Sequence, residues 1–490
     1  MKFLIDTNVF IPIEPTRASE VDERTVRFGE LVRLVRTSEH QVYVHPAQRE
    51  DIARDLDDER RATHDAQFGK YPVLPDPPNI SERLRQLVGH STRPSNDWVD
   101  DMLLAALDGD AVDFLVTKDQ DIHRKARRVS LQRRVMSVAD ALLFVQRLFD
   151  RRPPPLPAVV HTHAHELDTA ADPIFESFRQ DYPGFDAWLV KAKRAHRLTW
   201  LIKGDGGRLA GFCIVKSEQG SDVGLTGKVL KLCSFKVSES CSGFRYGELL
   251  LKAVFEHAVA NRHDWLFVTV FERHARLVGL FEDFGFAPLQ QRTCLGELVL
   301  AKPHTYEPSV VLSTAPLEFN IRYGPHAVRI AGVPGCIVPI RPQYHQLLFP
   351  EAERQLSLTA GHYAFGNSIR KAYLCNSAIR KLRPGSNLLF YRSRDAHAVT
   401  SLGVVEDTLV TRHAGDIAKF VGNRTVYSLS QIRRLCSQLV LAVLFRQARI
   451  LRNPITLSEL KQNGLLRAAP MTIIRLPADS AVWLEPRLCA

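Results

Sequence analysis

A proline-rich segment divides this chain more firmly than any other feature of its sequence. Between Arg151 and Val160 the residues are RRPPPLPAVV, with four prolines in five successive positions. Proline fixes the backbone angle φ and has no N–H to donate, so this segment favours a stiff, extended linker over a helix or a central strand. The chain has 490 residues, and one hydrophobic core rarely serves more than about 250. We therefore expect several domains, the first of which ends near residue 150.

A second boundary is predicted between residues 303 and 320. There the apolar run LGELVLA gives way to a mixture of Pro, Ser and Thr. The resulting division is a first domain at 1–150, a linker at 151–172, a second domain at 173–303 and a third domain at 320–490. Strand-like and helix-like segments occur in all three domains, which predicts a multidomain α/β protein.

Positive charge is concentrated in the third domain. The whole chain carries a formal net charge of +11, whereas residues 320–490 contain 23 Lys and Arg against 9 Asp and Glu. The remainder is therefore slightly acidic. A basic surface is typical of proteins that bind nucleic acid, because each phosphate contact releases a counterion. We expect a nucleic-acid-binding surface in the third domain.

The first residues and the cysteines indicate the compartment. The segment MKFLIDTNVFIPIE places Asp6 inside its only apolar stretch, which is unlike a signal peptide. No apolar run approaches the ~20 residues that a bilayer-spanning helix needs. The eight cysteines have no CxxC spacing and none precedes Cys213, so neither a zinc site nor a disulfide framework is expected. These features predict a cytoplasmic protein with reduced thiols and no membrane partner.

Carboxylates follow short buried strands and begin helices in the first domain. Asp6 ends the strand-like run KFLI, and Asp119 follows the run FLVT. The pair Glu50 and Asp51 lies in the first turn of one predicted helix, and Asp100 lies near the start of another, NDWVDDMLLAALDG. In open parallel sheets the carboxyl ends of the strands meet at one edge. Carboxylates gathered there repel one another unless a cation binds, and Mg²⁺ or Mn²⁺ prefers such oxygen ligands.

The segments FLIDTNVF and LVTKDQDIH, with an acidic helix start between them, resemble the PIN domain, a family of metal-dependent ribonucleases with an α/β/α sandwich fold. The resemblance covers residues 1–150. It implies that Mg²⁺ or Mn²⁺ activates water for hydrolysis of the phosphodiester, and that Asn8 orients the first carboxylate or the substrate. Either Glu50 or Asp51 matches the second acidic position. The implied catalytic residues are Asp6, Asp51, Asp100 and Asp119, and the implied metal ligands are Asp6, Asp51, Asp100, Asp119 and Asp121.

A glycine-containing turn precedes a helix in the second domain. The segment is SGFRYGELLLKAVFEHAVAN, in which Gly243 and Gly247 bracket the turn and an apolar-faced helix follows. The free N–H groups and the positive dipole at such a helix start favour a pyrophosphate group. A glycine turn also serves simply to tighten a connection between a strand and a helix.

The order of elements around this turn resembles the GNAT acetyltransferases over residues 173–303. A strand, the turn, a helix, the strand DWLFVTVF, a further helix and LFEDFGFAPL follow one another. The resemblance implies a mixed α+β sheet that binds acetyl-CoA at Ser242, Gly243, Phe244, Arg245, Tyr246 and Gly247. Arg245 replaces the usual middle glycine, and Phe281 replaces a tyrosine that often acts as general acid, a role that a phenyl ring cannot fill. His274 falls near the usual asparagine, and Glu272 or Glu239 is a candidate base.

Basic and aromatic residues are interleaved in the segment SIRKAYLCNSAIRKLRPGSNLLFYRSRD of the third domain. Strand-like runs around it predict a β-rich barrel with helices at its edge. Tyr373 and Tyr391 either stack on bases or belong to the core, and the basic side chains either contact phosphates or form a solvated rim. The candidates for nucleic-acid binding are Arg370, Lys371, Arg380, Lys381 and Arg383.

The residues from Pro384 to Phe390 and from Gly403 to Glu406 are similar to those of ASCH domains of the PUA-like group, which are associated with RNA. The resemblance covers residues 320–490. The family's glycine-lysine-glutamate signature is degenerate here between Gly366 and Tyr373. The resemblance therefore implies RNA binding rather than the amidohydrolase chemistry of some relatives.

Three functional hypotheses follow. The first is an RNA-directed enzyme, namely a metal-dependent endoribonuclease with an acetyl-CoA-dependent acyltransferase-like domain and an RNA-binding module. The second is an N-acetyltransferase that modifies RNA, an aminoacyl group or a protein amine, while the outer domains deliver the substrate. The third is a non-catalytic RNA-binding regulator. The acyl acceptor and the oligomeric state are left open.

Overall fold

Three β-sheets organise the protein. The computed structural model describes residues 1–21, 23–38, 40–148, 159–167, 172–204, 207–241, 243–353 and 368–489. Their strands form a four-stranded, a seven-stranded and a six-stranded sheet, which confirms a multidomain α/β architecture. We call the parts that carry these sheets the N-terminal domain (1–148), the middle domain (159–303) and the C-terminal domain (308–489). The proline segment at 151–158 lies outside the described residues.

The N-terminal sheet is parallel and has helices on both faces. Its elements are β1 (Lys2–Ile5), α1 (Thr7–Ile13), α2 (Glu23–Arg36), β2 (Gln41–Tyr43), α3 (Gln48–Ala53), α4 (Asp58–Phe68), α5 (Glu82–Val88), α6 (Asn96–Asp108), β3 (Phe114–Val116), α7 (Gln120–Arg128), β4 (Val135–Met136) and α8 (Val138–Leu148). The strands are ordered β2-β1-β3-β4 and pair in parallel. Because side chains alternate across a strand, Phe3 and Ile5 pack with α2 and α8, whereas Leu4 packs with α6 and α7. The strand ends that carry Asp6 and Asp119 therefore lie at one edge of this sheet.

The middle domain contains a mixed sheet, as the sequence predicts. Its elements are β5 (Val159–His163), α9 (Glu176–Asp181), α10 (Phe185–Arg194), β6 (Leu198–Lys203), β7 (Leu209–Gln219), β8 (Lys228–Val237), α11 (Tyr246–Ala260), β9 (Trp265–Val270), α12 (Ala275–Asp283), β10 (Ala287–Arg292) and β11 (Leu298–Pro303). The order is β10-β11-β9-β8-β7-β6-β5, in which β8 and β9 are parallel and the other neighbours antiparallel. Helix α11 connects β8 to β9, and its Leu250, Val254 and Phe255 are fully buried in the core of the domain.

Strand β5 corrects one predicted boundary. The sequence places residues 151–172 in a linker, but Val159–His163 pairs antiparallel with β6 and forms one edge of the middle sheet. An edge strand keeps much of its surface in water, and only Thr162 of these five residues is buried. The apolar pattern that reveals inner strands is therefore weak here.

The C-terminal domain is built on two long strands. Its elements are α13 (Pro308–Ser313), α14 (Pro316–Tyr323), β12 (Gly335–Ile340), α15 (Pro342–Leu348), β13 (Arg370–Cys375), β14 (Asn387–Arg392), β15 (Ala398–Thr411), α16 (Ala414–Val421), α17 (Leu429–Leu435), β16 (Val440–Thr456), α18 (Leu457–Gln462), β17 (Ile474–Arg475) and α19 (Ala481–Cys489). The sheet order is β13-β16-β15-β14-β12-β17. Strands β13 and β17 lie at opposite edges, so the described strands do not close into the predicted barrel.

Ion pairs join the three domains around Asp283, at the end of α12. One carboxylate oxygen of Asp283 accepts a hydrogen bond from Arg127 of α7 at 2.9 Å, and the other accepts from Arg370 of β13 at 2.9 Å. Arg446 of β16 donates to the backbone carbonyl of Asp283 at 2.9 Å. Asp283 of the middle domain therefore contacts both neighbouring domains.

Two further observations concern the whole described chain. None of the described helices is long and apolar enough to cross a membrane. The seven cysteines whose side chains the structure describes are free thiols.

Candidate active sites

The parallel strands β8 and β9 separate before they end. Their pairing runs from Val229 opposite Trp265 to Leu232 opposite Val268, whereas β8 continues to Val237. Beyond the last pair, the facing edges of the two strands have lost their neighbour in the sheet. Peptide groups at such an edge are free to bind another molecule.

This gap opens into a large cavity between the three domains. The cavity has a volume of about 2170 Å³, whereas pockets for drug-sized ligands have about 300–1,000 Å³. Its lining includes Ser234 and Phe235 of β8, Thr269 of β9, Leu143 of α8 and Arg424 of the C-terminal domain. The volume is sufficient for two substrates at once.

The predicted glycine turn lies on the wall of this cavity. Gly243 has φ of 91° and Arg245 has φ of 61°, both in the left-handed region, and α11 begins directly after them. A Cβ atom at Gly247 would lie 2.7 Å from Cδ2 of Leu280, so a glycine there lets α11 approach α12. The rings of Phe244 and Tyr246 stack with centroids 5.7 Å apart. Ser242, the first residue of the predicted set, lies outside the described residues.

Phe281 stands where the acetyltransferases often have a tyrosine that donates a proton. This ring is fully buried and packs edge to face against Phe235 and Phe286, with centroids 5.2 and 5.0 Å apart. The substitution of phenylalanine for tyrosine thus belongs to an apolar core. Of the two candidate bases, Glu239 is exposed and lines the cavity, whereas Glu272 is exposed, pairs with Arg292 and does not line it.

A histidine–aspartate pair lines the cavity beside the gap. Nε2 of His274 lies 2.9 Å from Oδ2 of Asp181, and Arg273 bonds the other oxygen of this carboxylate. Burial alone would raise the pKa of Asp181, but the bonds from Arg273 and His274 outweigh it and leave the pKa below its ordinary value. Asp181 is therefore ionised at neutral pH. An ionised carboxylate on one ring nitrogen orients an imidazole so that the other nitrogen can accept a proton.

Tyr182, next to Asp181, forms a second polar pair on the same wall. Its hydroxyl donates to Glu297 at 2.5 Å, and burial, together with this carboxylate, raises the pKa of Tyr182. The sequence alone does not indicate that Asp181, Tyr182 and Glu297 belong to this site. Asp181 is 93 positions from His274 in the chain, and no spacing rule connects them.

Four carboxylates converge at the edge of the N-terminal sheet. Burial first, and then the charges of Asp6 and Asp119, raise the pKa of Asp100 to about 8, and Asp51 contributes in the same direction. Burial also raises the pKa of Asp6 to about 7, although Asp6 accepts bonds from Thr117 Oγ1 and the backbone of Thr7. The structure thus brings together the four predicted catalytic carboxylates.

The contacts of Asp51 and Glu50 favour Asp51 as the second acidic position. Asp51 accepts a bond from Thr7 Oγ1 at 2.8 Å and its charge acts on Asp100, although it also pairs with Arg54. Glu50 pairs with Arg93. Asn8 donates to Thr117 at 3.3 Å, and Thr117 in turn donates to Asp6 at 2.6 Å. Asn8 therefore positions the first carboxylate through a hydroxyl group.

The predicted metal ligands lie near one another but do not surround a common ion position. Among the residues that the structure describes, no three His, Cys, Asp or Glu side chains are arranged around one ion position. Asp121 pairs with Arg124 at 2.9 Å and its side chain is 53% exposed, which disfavours it as a ligand, although its assignment stays a prediction. Asp119 is the N-cap of α7 and accepts from the backbone of Asp121. The four remaining carboxylates offer the hard oxygen donors that Mg²⁺ and Mn²⁺ prefer, but their present positions show no coordination geometry.

The basic residues of the C-terminal domain divide into two groups. Arg370 bonds Glu406 and Asp283, and Lys371 is fully buried, with a pKa that burial lowers to about 7. Neither side chain lies free on the surface, which disfavours contacts with RNA phosphates, and both assignments stay predictions. Arg380 is half-buried and donates to the Leu439 carbonyl at 3.1 Å. Lys381 and Arg383 are exposed, and they remain candidates for phosphate contacts.

The two tyrosines of this segment belong to the core. Tyr373 is 8% exposed and its hydroxyl donates to the Pro339 carbonyl at 2.9 Å, and Tyr391 is fully buried. The predicted alternative of base stacking does not apply to either ring.

Comparison with known proteins bears on the middle domain. Residues 163–286 match the acetyltransferase (GNAT) family. This part of the chain is therefore similar to GNAT acetyltransferases. No curated protein matches the chain.

Several solved structures are similar to parts of the chain. An ASCH protein from Zymomonas mobilis is 14% identical, with 31% of this chain and 94% of that chain covered and a TM-score of 0.25. A nourseothricin acetyltransferase is 22% identical, with 21% and 62% covered and a TM-score of 0.18. A GNAT-family acetyltransferase from Staphylococcus aureus Mu50 is 10% identical, with 30% and 99% covered and a TM-score of 0.24. These TM-scores are too low to support an argument about fold or function.

Proposed function

We propose that the GNAT domain transfers an acetyl group from coenzyme A to an amine in the cavity beside β8 and β9. The observation that carries this proposal is the separation of the parallel strands after Leu232 and Val268, next to the glycine turn at the start of α11. The gap offers free peptide groups for the thioester, and the helix start offers N–H groups for the diphosphate. Acetyl-CoA supplies the activated acyl carbon.

The residues around the gap accept the proton that the reaction releases. The amine nitrogen forms a bond to the acyl carbon and the carbon–sulfur bond breaks, so one proton must leave the nitrogen. His274, oriented by Asp181, takes this proton at its free ring nitrogen. Phe281 cannot protonate the sulfur. A thiol has a pKa of only about 8.5, so the thiolate can leave unprotonated at modest cost.

Binding of acetyl-CoA tests this proposal directly. We expect saturable heat on titration of the full chain with acetyl-CoA, and stabilisation against thermal unfolding by the bound ligand. Release of free thiol in the presence of a panel of amines then reports transfer. If millimolar acetyl-CoA gives neither heat nor stabilisation, the proposal is refuted.

We propose a second function for the N-terminal domain, which is hydrolysis of RNA with a divalent cation. The observation that favours it is the convergence of Asp6, Asp51, Asp100 and Asp119, with pKa values of about 7 for Asp6 and about 8 for Asp100. Carboxylates whose charges raise each other's pKa lose that cost when a cation binds. Mg²⁺ or Mn²⁺, when bound, would supply charge neutralisation for phosphodiester hydrolysis. The exposed Lys381 and Arg383 are proposed to hold the RNA.

A cleavage assay with matched variants tests the second function. The full chain is incubated with a mixed RNA pool and Mn²⁺, with and without EDTA, and compared with the Asp6→Asn and Asp119→Asn variants. Asp97→Asn is the control, because Asp97 lies on the same helix as Asp100 but is exposed and pairs with Lys125. We expect cleavage by the wild type and the control alone. Salt-sensitive RNA binding without any product would favour the non-catalytic regulator instead.

A further inference from the structure

The start of α11 is attached to the C-terminal domain. Glu248, in the first turn of α11, is 3% exposed, and its Oε2 accepts hydrogen bonds from the backbone N–H of Ile369 at 2.9 Å and of Arg370 at 3.2 Å. The hydroxyl of Ser368 donates to the same oxygen at 2.5 Å. The glycine turn and the first residues of β13 therefore form one continuous wall of the cavity.

Arg424 of the C-terminal domain reaches the same wall. It follows α16, lines the cavity and is 9% exposed. Its NH1 atom is buried and has no hydrogen-bond partner among the described residues, and the nearest carboxylate oxygen, of Glu406, lies 3.9 Å away. A buried guanidinium N–H without an acceptor costs free energy, so this atom requires a ligand.

Arg245 of the glycine turn has the same deficit. Its Nε is buried without a partner among the described residues, and its NH1 donates a long bond of 3.4 Å to Glu248. Burial lowers the pKa of Arg424 to about 9, and the charges of Arg370 and Arg245 add to this effect. Two guanidinium groups from different domains thus face one cavity, and the charge of Arg245 disfavours that of Arg424.

Three nearby carboxylates have other partners, and Glu406 is bonded by Arg370. Glu248 holds β13, as described above, and Asp140 of α8 pairs with Arg276 at 3.0 Å and accepts from Ser137 at 2.6 Å. An external anion with several acceptor oxygens would therefore bind the free N–H atoms of Arg245 and Arg424 and also the positive end of α11, a helix of 15 residues.

We propose that Arg424 binds the diphosphate of the acyl donor together with Arg245 and the first N–H groups of α11. The donor site is then shared between the GNAT domain and the C-terminal domain. This inference rests on the proposed acetyl transfer, since it assigns a residue outside the GNAT domain to the donor of that reaction.

The test compares two donors that differ in the diphosphate. Acetyl-CoA contains it, and S-acetyl-N-acetylcysteamine, which has the same thioester, does not. For Arg424→Met we expect the Kd and the KM of acetyl-CoA to rise about tenfold, as the loss of a charge-assisted hydrogen bond predicts, while kcat/KM for the truncated donor stays at the wild-type value. Arg433→Met, an exposed arginine of α17 that does not line the cavity, should change neither donor.

Each outcome has a defined meaning. Unchanged acetyl-CoA binding by Arg424→Met, or an equal loss with both donors, overturns the inference, because the residue then has no role or only a structural one. If Arg424→Met does not fold, Arg424→Lys and Arg245→Met are compared in the same way, and a selective loss with acetyl-CoA is again required. If the wild type binds no acetyl-CoA at all, the proposed acetyl transfer itself fails, which is a distinct result.

Discussion

The carboxylate cluster makes a prediction about how stability depends on pH. Burial, and then the charges of Asp6 and Asp119, raise the pKa of Asp100 from its ordinary value of 3.8 to about 8 in the folded protein. A carboxyl group with a raised pKa keeps its proton in the folded state at a pH where the unfolded chain has lost it. The folded state therefore binds more protons between about pH 4 and pH 8, and stability falls as the pH rises through this range.

The magnitude follows from the number of groups. Each carboxyl contributes at most about 1.4 kcal/mol per pH unit. Asp100 and Asp6, whose pKa is about 7, both contribute between pH 5 and pH 7. The free energy of unfolding of the N-terminal domain should therefore fall by at most about 5 kcal/mol between pH 5 and pH 7. In the Asp100→Asn variant, which removes one titrating group, the loss should be about half as large.

Amide hydrogen exchange measures how the stability of the N-terminal domain depends on pH. Peptides from α6 and β3 report the opening free energy of the N-terminal domain, after correction for the intrinsic pH dependence of exchange. Asp97→Asn is the matched control, because Asp97 is outside the cluster and should leave the pH dependence unchanged. Mn²⁺ should flatten the dependence in the wild type. If wild type and Asp100→Asn lose the same free energy between pH 5 and pH 7, Asp100 does not titrate in this range and the electrostatic reasoning is refuted.

Three other substitutions test separate parts of the structure. His274→Gln should lower kcat for acetyl transfer about 10²-fold or more, as loss of a general base does, with little change in the KM of acetyl-CoA. Glu272→Gln, outside the cavity, should have no effect. Equal activity of the two variants would show that His274 has no part in the mechanism. Gly285→Ala should lower the melting temperature by several degrees, because the new Cβ would lie 2.0 Å from the Ile321 carbonyl oxygen and φ is 84°; an unchanged melting curve would contradict this packing of α14. Asp283→Asn should weaken the contact between the three domains by about 3 kcal/mol, since two arginines lose an ionised partner. Limited proteolysis between the domains should then become faster. Resistance equal to that of the wild type would mean that the other contacts between the domains are sufficient.

The sequence predicts the carboxylate cluster and the glycine turn well for a physical reason. Short apolar runs such as KFLI mark buried strands, and parallel strands necessarily end at a common edge, so residues after them converge. Glycines directly before an amphipathic run mark the start of a helix. Local patterns therefore suffice to place Asp6, Asp119 and Gly247.

Properties that depend on the packing of distant segments were not predictable in this way. Arg370 and Lys371 are basic residues in a basic segment, and nothing in their neighbours along the chain indicates that Arg370 bonds Glu406 and Asp283 or that Lys371 is buried. Asp181 is paired with His274 only because α9 packs beside the start of α12. The longest strand, β16, lies between two helical segments and gains its length from pairing with both β13 and β15.

The position of Asp283 has a consequence for the order in which the chain can assemble during synthesis. Domains emerge from the ribosome and fold from the N-terminal end, so Arg127 emerges more than 150 residues before its partner. Asp283 can then bind Arg127 with one carboxylate oxygen, and its other oxygen binds Arg370 only after Arg370 has been synthesised. The cavity between the domains therefore acquires its final walls only after β13 has been translated, and a nascent chain that lacks the C-terminal domain would present an unfinished site.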